Sequence, residues 1–438
     1  MEGPAINLVE PSNRWSRHGC LRIAQCGRHL AHEDGTPFFY LADTAWNGPL
    51  LSNEDDWAAY LADRSAKGFT AIQFIMMAPW SAAYTDADGR TAFDRNAPFK
   101  INEDFFLRMD ARVDAINAAG LLAVPVLAWA AKFGGSARHN PGVALPERAL
   151  ERLIRYQVSR YASRNVLWLL AGDGRYGWMR SWKWKRLGRA VFGKQSGQRA
   201  PVGLHPMGTT WPYPRFKRES WLNVLGYQSS HSSDAKTLNW LLKGPPAQAW
   251  REETRPIINL EPCYEGIHNW AMRKPFTNAE VRRAMYGSLL NAPTAGVTYG
   301  AHGVWSWETV PREPLNHPGS GVARTWKEAA QFPGSFDVQR IAMLFNSIDW
   351  WRLRPAPELL LSNAGSNDPD QFISLAATAE RDLILAYLPR GGKIQLESDS
   401  RDAQWYDPRI GSYHVAEIST NGTCLAPDER DWVLLSRK

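Results

Sequence analysis

Four cysteines in 438 residues, Cys20, Cys26, Cys263 and Cys424, are too few and too scattered for a disulfide framework. None forms a CxxC pair or has a histidine at zinc spacing, so no structural metal site is expected. No HxH follows the first strand-like run and no HExxH occurs, which argues against metal-dependent hydrolysis. GxSxG, Walker A and GxGxxG patterns are also missing, so nothing announces a serine hydrolase elbow, a P-loop or a dinucleotide fold. We therefore expect no metal and no cofactor. Long apolar runs are lacking: none approaches the ~20 residues that span a bilayer. The amino terminus, MEGPAINLVEPSNRW, lacks the basic start and apolar core of a signal peptide. The expectation is a soluble cytoplasmic protein away from membranes, periplasmic or secreted if a signal segment has been removed. Internal repeats and low-complexity tracts are absent too.

One sign of charge is missing locally. Residues 175–199 hold eight basic residues and no acidic one, within a chain of net charge +7. A solvated helix face explains this best, an anionic polysaccharide comes next, and nucleic acid last, because no nucleic-acid motif accompanies the charge. What the chain has in excess is tryptophan, 21 residues. An indole packs into cores and also offers a flat apolar face with one N–H donor for a sugar ring.

The organising stretch is PIINLEPCYE at 256–265. A short apolar run of buried-strand type stops at Glu261, and Pro262 prevents its continuation. The comparable place is NVLWLLAGD at 165–173, whose run ends on Gly172 and Asp173. Around these two, eight strand-like runs occur at 38–46, 70–77, 121–129, 165–170, 201–205, 221–228, 256–260 and 296–299. Mostly helical patterns separate them, at 57–67 (opened by a capping-box signature at 52–55), 102–119, 146–162, 182–192 and 277–290, with more at 322–330 and 338–345. Strands alternating with helices predict parallel pairing, and eight of them a closed (β/α)8 TIM barrel in an α/β fold class. After Trp351 short runs at 372–375, 382–388, 393–396, 403–406, 412–418 and 432–435 predict a small antiparallel β-sandwich domain. The expected domains are residues 1–348, with an irregular amino-terminal segment, and 349–438.

Barrel enzymes build their sites at the C-terminal ends of the strands. Asp173 and Glu261 end strands four and seven, which lie across the barrel mouth. Two carboxyl groups facing each other over a ligand are what glycoside hydrolysis needs: one protonates the leaving oxygen, the other attacks or activates water. The other strand ends offer candidate substrate contacts that can hydrogen-bond hydroxyls or stack on sugars: Asp43, Trp46, Gln73, Trp129, His205, Gln228, His231, Tyr299 and His302. Tyr264 and Trp305 join them, and Trp80 is a further candidate for the wall. Glu265, four residues past Glu261, is the rival for its role.

ADTAW at 42–46, AGD at 171–173, HPMG at 205–208, GYQSSHS at 226–232, NLEPCYEG at 259–266 and TYGAHGVWSW at 298–307 together resemble the motif series of apiosidase-like glycoside hydrolases, family 140. The resemblance spans residues 20–345 in order. The carboxy-terminal part resembles the collagen-binding-type β domain that commonly follows this barrel. The resemblance implies a retaining mechanism with Asp173 as acid/base and Glu261 as nucleophile. Many related barrel glycosidases present an Asn-Glu pair on strand four, where this chain has Gly172-Asp173. The expected substrate is a plant or microbial glycan, with a pectic side-chain sugar such as apiose as the family's example. Two other readings are a carbohydrate-binding protein that kept the barrel without turnover, and an adhesion module using the β domain.

Overall fold

The computed structural model describes residues 14–77, 84–94, 99–131, 139–315, 317–362, 367–397 and 402–438. The strands β1 (Tyr40–Thr44), β2 (Ala71–Ile75), β3 (Leu122–Val126), β4 (Trp168–Gly174), β5 (Val202–Pro206), β6 (Leu225–Gln228), β7 (Ile257–Glu261) and β8 (Gly296–Tyr299) form one sheet. Their spatial order is β5-β4-β3-β2-β1-β8-β7-β6, every pairing parallel. A parallel bridge between Gly203 and Val224 joins the two ends, closing the barrel. Nearly every residue of these strands is buried, because side chains face either the barrel axis or the helix layer.

The connecting helices are Glu54–Ala66, Glu103–Ala118, Glu147–Arg160, Trp178–Phe192, Ala235–Lys243 and Asn278–Leu290, with Pro333–Asn346 completing the layer. Between β5 and β6 the chain makes only a short 3-10 turn, Tyr213–Phe216. Two local readings need correcting. The cap of Glu54–Ala66 is Asn53, whose side chain accepts from the Asp56 amide, whereas Ser52 closes the preceding short helix. Strand β4 runs on through Gly174 rather than ending at Leu170.

The carboxy-terminal part holds a six-stranded sheet containing Ser374–Ala377, Leu383–Leu388, Trp432–Arg437, Asp402–Tyr406 and Tyr413–Val415, paired antiparallel. A three-stranded sheet, Leu360–Ser362, Lys393–Leu396 and Thr423–Leu425, covers one of its faces. In the strand LILAYL, Leu383, Leu385 and Tyr387 join the barrel's core, and Ile384, Ala386 and Leu388 join the core between the two sheets. That period of two, apolar on both sides, marks a strand buried on both faces.

Candidate active site

Asp173 is delivered by a defect in the sheet. The β4–β5 register pairs Gly172 with His205 and Gly174 with Pro206, so Asp173 is an extra residue in a bulge. Its φ is +51°, the left-handed region that Asp tolerates better than most residues. The flanking glycines make room: a Cβ on Gly172 would stand 2.3 Å from the Trp129 ring, and one on Gly174 2.3 Å from the Tyr176 ring. The sequence GDG thus turns the carboxyl into the mouth while large aromatics close behind it.

Glu261 ends β7 in register with Gln228 of β6. Its backbone N–H donates to the Asn259 side chain (3.2 Å), which is itself tied to Ser229 and Ser288. Two imidazoles face its carboxylate, His231 Nε2 at 2.9 Å and His205 Nε2 at 3.3 Å. The amide of Tyr264 donates to His231 Nδ1 (3.3 Å), which leaves the ring's proton on Nε2, aimed at Glu261. Gln228 Nε2 reaches both Asp173 Oδ1 (2.5 Å) and His205 Nδ1 (3.1 Å). Donating to both, it leaves the His205 proton on Nε2, which stands 3.3 Å from Glu261 without forming a hydrogen bond, so one amide and one ring lie between the two carboxyl groups.

The two acids are driven apart in acidity. Burial raises the pKa of Asp173 and the negative charge of Glu261 raises it further, to about 6, against the pull of His205 and the Gln228 hydrogen bond. For Glu261 burial also raises the pKa, but the His205 and His231 rings that face it outweigh burial and hold the carboxyl at about 2.

A cleft of about 350 Å³ surrounds this pair. Of the expected contacts, Trp46, Trp129, Gln228, His231, Tyr264 and Trp305 line it together with both acids. His205 stands behind the wall, fully buried, with the rings of Trp46 and Trp129 against it at 5.2 and 5.8 Å. The Tyr264 hydroxyl accepts from Trp46 Nε1 (3.1 Å), which leaves its proton for Glu261.

Besides His205, four expected contacts are not among the residues that line the cleft. Asp43 pairs with Arg64 (2.9 Å) and accepts from Tyr60, both on the helix outside β1. Tyr299 lies in register with Asp43, so it faces the same outer layer, where its hydroxyl donates to Glu265 (2.6 Å). Gln73 points along the barrel axis, where its amide donates to the Leu260 carbonyl and accepts from Tyr40. His302 bonds the Gly321 carbonyl (3.0 Å) and accepts from Trp305 Nε1 (3.1 Å), so it positions a wall residue. Strand-end position alone does not tell which face a side chain takes. Glu265 is also turned away: it accepts from Tyr299 and from the Gly334 amide (2.9 Å), and burial pushes its pKa to about 7. Trp80 lies outside the described residues.

Sequence reasoning missed Thr209, Ser230, Ile267, Trp270, His317 and Ser320 in the cleft wall. They come from loops beyond β5, β6, β7 and β8, where no periodicity exists to read. Two signals were available: Ser230 lies inside GYQSSHS at 226–232, and Trp270 is an aromatic nine residues past Glu261.

A family model for the apiosidase-like catalytic domain matches residues 24–352. The chain belongs to the apiosidase-like family. Its barrel is the catalytic domain of a glycoside hydrolase. A second model, "Putative collagen-binding domain of a collagenase", matches residues 355–436. Among solved structures, one described as a glycoside hydrolase superposes with a TM-score of 0.82 at 21% identity, covering 97% of this chain and 98% of its own. A glycoside hydrolase family 5 protein from Bacteroides vulgatus gives 0.82 at 20% identity, covering 97% and 94%. A family 5 mannosidase from Rhizomucor miehei gives 0.51 at 12% identity, covering 75% and 98%. At these identities the likeness is one of fold. No curated protein matches the chain.

Proposed function

We propose that this apiosidase-like chain cleaves a glycosidic bond with retention of configuration, Glu261 acting as nucleophile and Asp173 as acid and then base. The observation that carries the reading is the His231 hydrogen bond to Glu261, with the His205 ring beside the same carboxylate at 3.3 Å. Inversion would require Glu261 to take a proton from water, and a carboxylate held at about 2 is a weak base. As a nucleophile it must instead be ionised, and it must leave easily when the glycosyl ester is broken, both of which a low pKa favours.

In the first step Glu261 bonds to the anomeric carbon while Asp173 gives its proton to the departing oxygen. The ester neutralises Glu261, so Asp173 loses the charge that raised its pKa and stays ionised. In the second step Asp173 takes a proton from water as the water oxygen attacks the anomeric carbon and Glu261 leaves. Trp46, Trp129 and Trp305 supply apolar walls for the sugar and Tyr264 a hydroxyl beside Glu261. The substrate class is a plant or microbial glycan; the family's name makes apiose the first sugar to try, with a pectic side chain as the expected setting. A panel of aryl glycosides and pectic oligosaccharides tests that choice.

Azide separates the roles of the two acids. Asp173→Ala should still be glycosylated by substrates with good leaving groups, and azide should restore turnover and give a glycosyl azide of retained configuration. Glu261→Ala should lose glycosylation for every substrate. An inverted azide product from the Asp173 variant would reverse the assignment.

A further inference from the structure

The indoles that line the cleft differ in one respect. Trp46, Trp129 and Trp305 are at most 5% exposed, whereas Trp270 is 57% exposed at its mouth. An exposed Trp on a loose loop tip would mean little, but this one is held firmly. Its backbone N–H donates to the His231 carbonyl (3.0 Å), and the preceding amide pair ties Asn269 to the Lys274 carbonyl (2.7 Å). The buried Asn269 side chain accepts from the amides of Ala271 and Met272 and donates to Ser233, clasping the turn from inside. The next residue back on the chain, His268, is anchored to the Ser320 carbonyl (2.9 Å). The ring of Trp270 meets the edge of His231 at 5.7 Å, and His231 is the donor to Glu261.

A large apolar face kept exposed on a turn clasped from both sides is a preorganised platform. We infer that Trp270 stacks on a sugar unit of the substrate other than the one that reacts, so that the preferred substrate is a glycan chain longer than the bond being cut. This rests on the glycosidase reading and adds a substrate requirement to it: Trp270 makes the enzyme select chain length. The aliphatic face of a pyranose or furanose ring supplies the C–H groups that lie against an indole, as the walls below do for the reacting unit.

The test uses the full chain in the Asp173→Asn background, which binds without completing the reaction, and an array of pectic, mannan and xylan oligosaccharides of graded length. Titration of tryptophan fluorescence should show affinity rising with length for Asp173→Asn. Adding Trp270→Ala should cut the affinity of the longer ligands roughly 3- to 10-fold, the range of an aromatic contact, and flatten the length dependence, while adding Trp270→Phe should keep most of both. In the otherwise native enzyme, Trp270→Ala should lower the ratio of kcat/KM on oligosaccharide to that on aryl glycoside, through KM. Equal affinities for Asp173→Asn with and without Trp270→Ala would overturn the inference and leave the glycosidase reading standing. Full turnover by Asp173→Asn would overturn the assigned mechanism instead. Binding of no oligosaccharide on the array would count against both.

Discussion

Glu261 has the His231 donor and the His205 ring beside it, and Asp173 has one amide and a nearby negative charge; those neighbours set which carboxyl is ionised at a given pH. Catalysis by the proposed route needs Glu261 charged and Asp173 protonated, so kcat/KM should fall tenfold per unit of pH above about 6, the value for Asp173, with no acidic limb until pH approaches that of Glu261. A pH profile with a poor leaving group checks this, and a profile flat from 5 to 8 would contradict it. Replacing His231 by Ala removes one donor, so the acidic limb should move up while the alkaline one moves little. The same shifts act on stability. The folded pKa of Asp173 lies above its ordinary value of 3.8, so the native state is penalised where the unfolded chain has ionised and the folded one resists it. The penalty is absent below 3.8, grows from there and is complete above about 6. Asp173→Asn keeps the acceptor for Gln228 and tolerates the left-handed backbone, so at pH 7.5 it should be more stable than the native chain by about 1–2 kcal/mol while losing activity. Thermal melts at pH 3.5 and 7.5 should show the gain only at the higher pH. For Glu261 the sign is opposite: its depressed pKa stabilises the fold above its ordinary 4.5, and that contribution disappears as pH falls toward 2.

Strand β4 and the helix after it show how the elements carry the chemistry, and where sequence alone was sufficient. The eight barrel runs were legible because each is short and apolar and most are bounded by a helix pattern, and the two acids were legible because each interrupts such a run. Strand ends were harder: β4 passes through Gly172-Asp173-Gly174, residues of poor strand propensity, because the bulge lets the pairing with β5 resume at Pro206. Side-chain direction was not legible either. Asp43 and Gln73 are both polar residues in apolar strands, and only the pleat decides that one faces Arg64 and the other the barrel axis. The bulge also makes a prediction. Gly172→Ala places a methyl against the Trp129 ring, which forms the cleft wall, and cannot be relieved by a flexible side chain. It should cost roughly 1–3 kcal/mol of stability and lower kcat/KM beyond what the melt explains, because the indole and the Asp173 bulge shift together. Native kcat/KM in a folded variant would show that the wall position does not matter.

At the scale of the molecule the carboxy-terminal sheets act as a brace rather than an appended module. Helix Asn278–Leu290 lies between barrel and sheet, with Tyr286 stacked on Tyr387 at 4.6 Å and Arg282 bridging Asp431, just before strand Trp432–Arg437, and Asp337 of helix Pro333–Asn346, both at 2.6 Å. The same helix carries Ser288, which accepts from Asn259, the residue that accepts the Glu261 amide. A continuous line of contacts therefore runs from the second domain to the nucleophile. Arg282 is nearly fully buried, so its guanidinium is held by paired charges and not by water. Arg282→Met would strand Asp431, whose remaining side-chain partner is the Tyr387 hydroxyl, while Asp337 keeps Arg340. The single change should cost about 3 kcal/mol, and Asp431→Leu alone a similar amount. The double variant should recover part of the sum, because it removes both members of the pair and leaves no buried charge unpaired. Chemical denaturation of the four proteins measures the coupling. Losses that simply add would mean that the two domains touch at this point without depending on each other. Coupled losses, with kcat on an aryl glycoside kept below the melting transition, would show that the brace sets stability and leaves the geometry of Glu261 intact once the fold has formed.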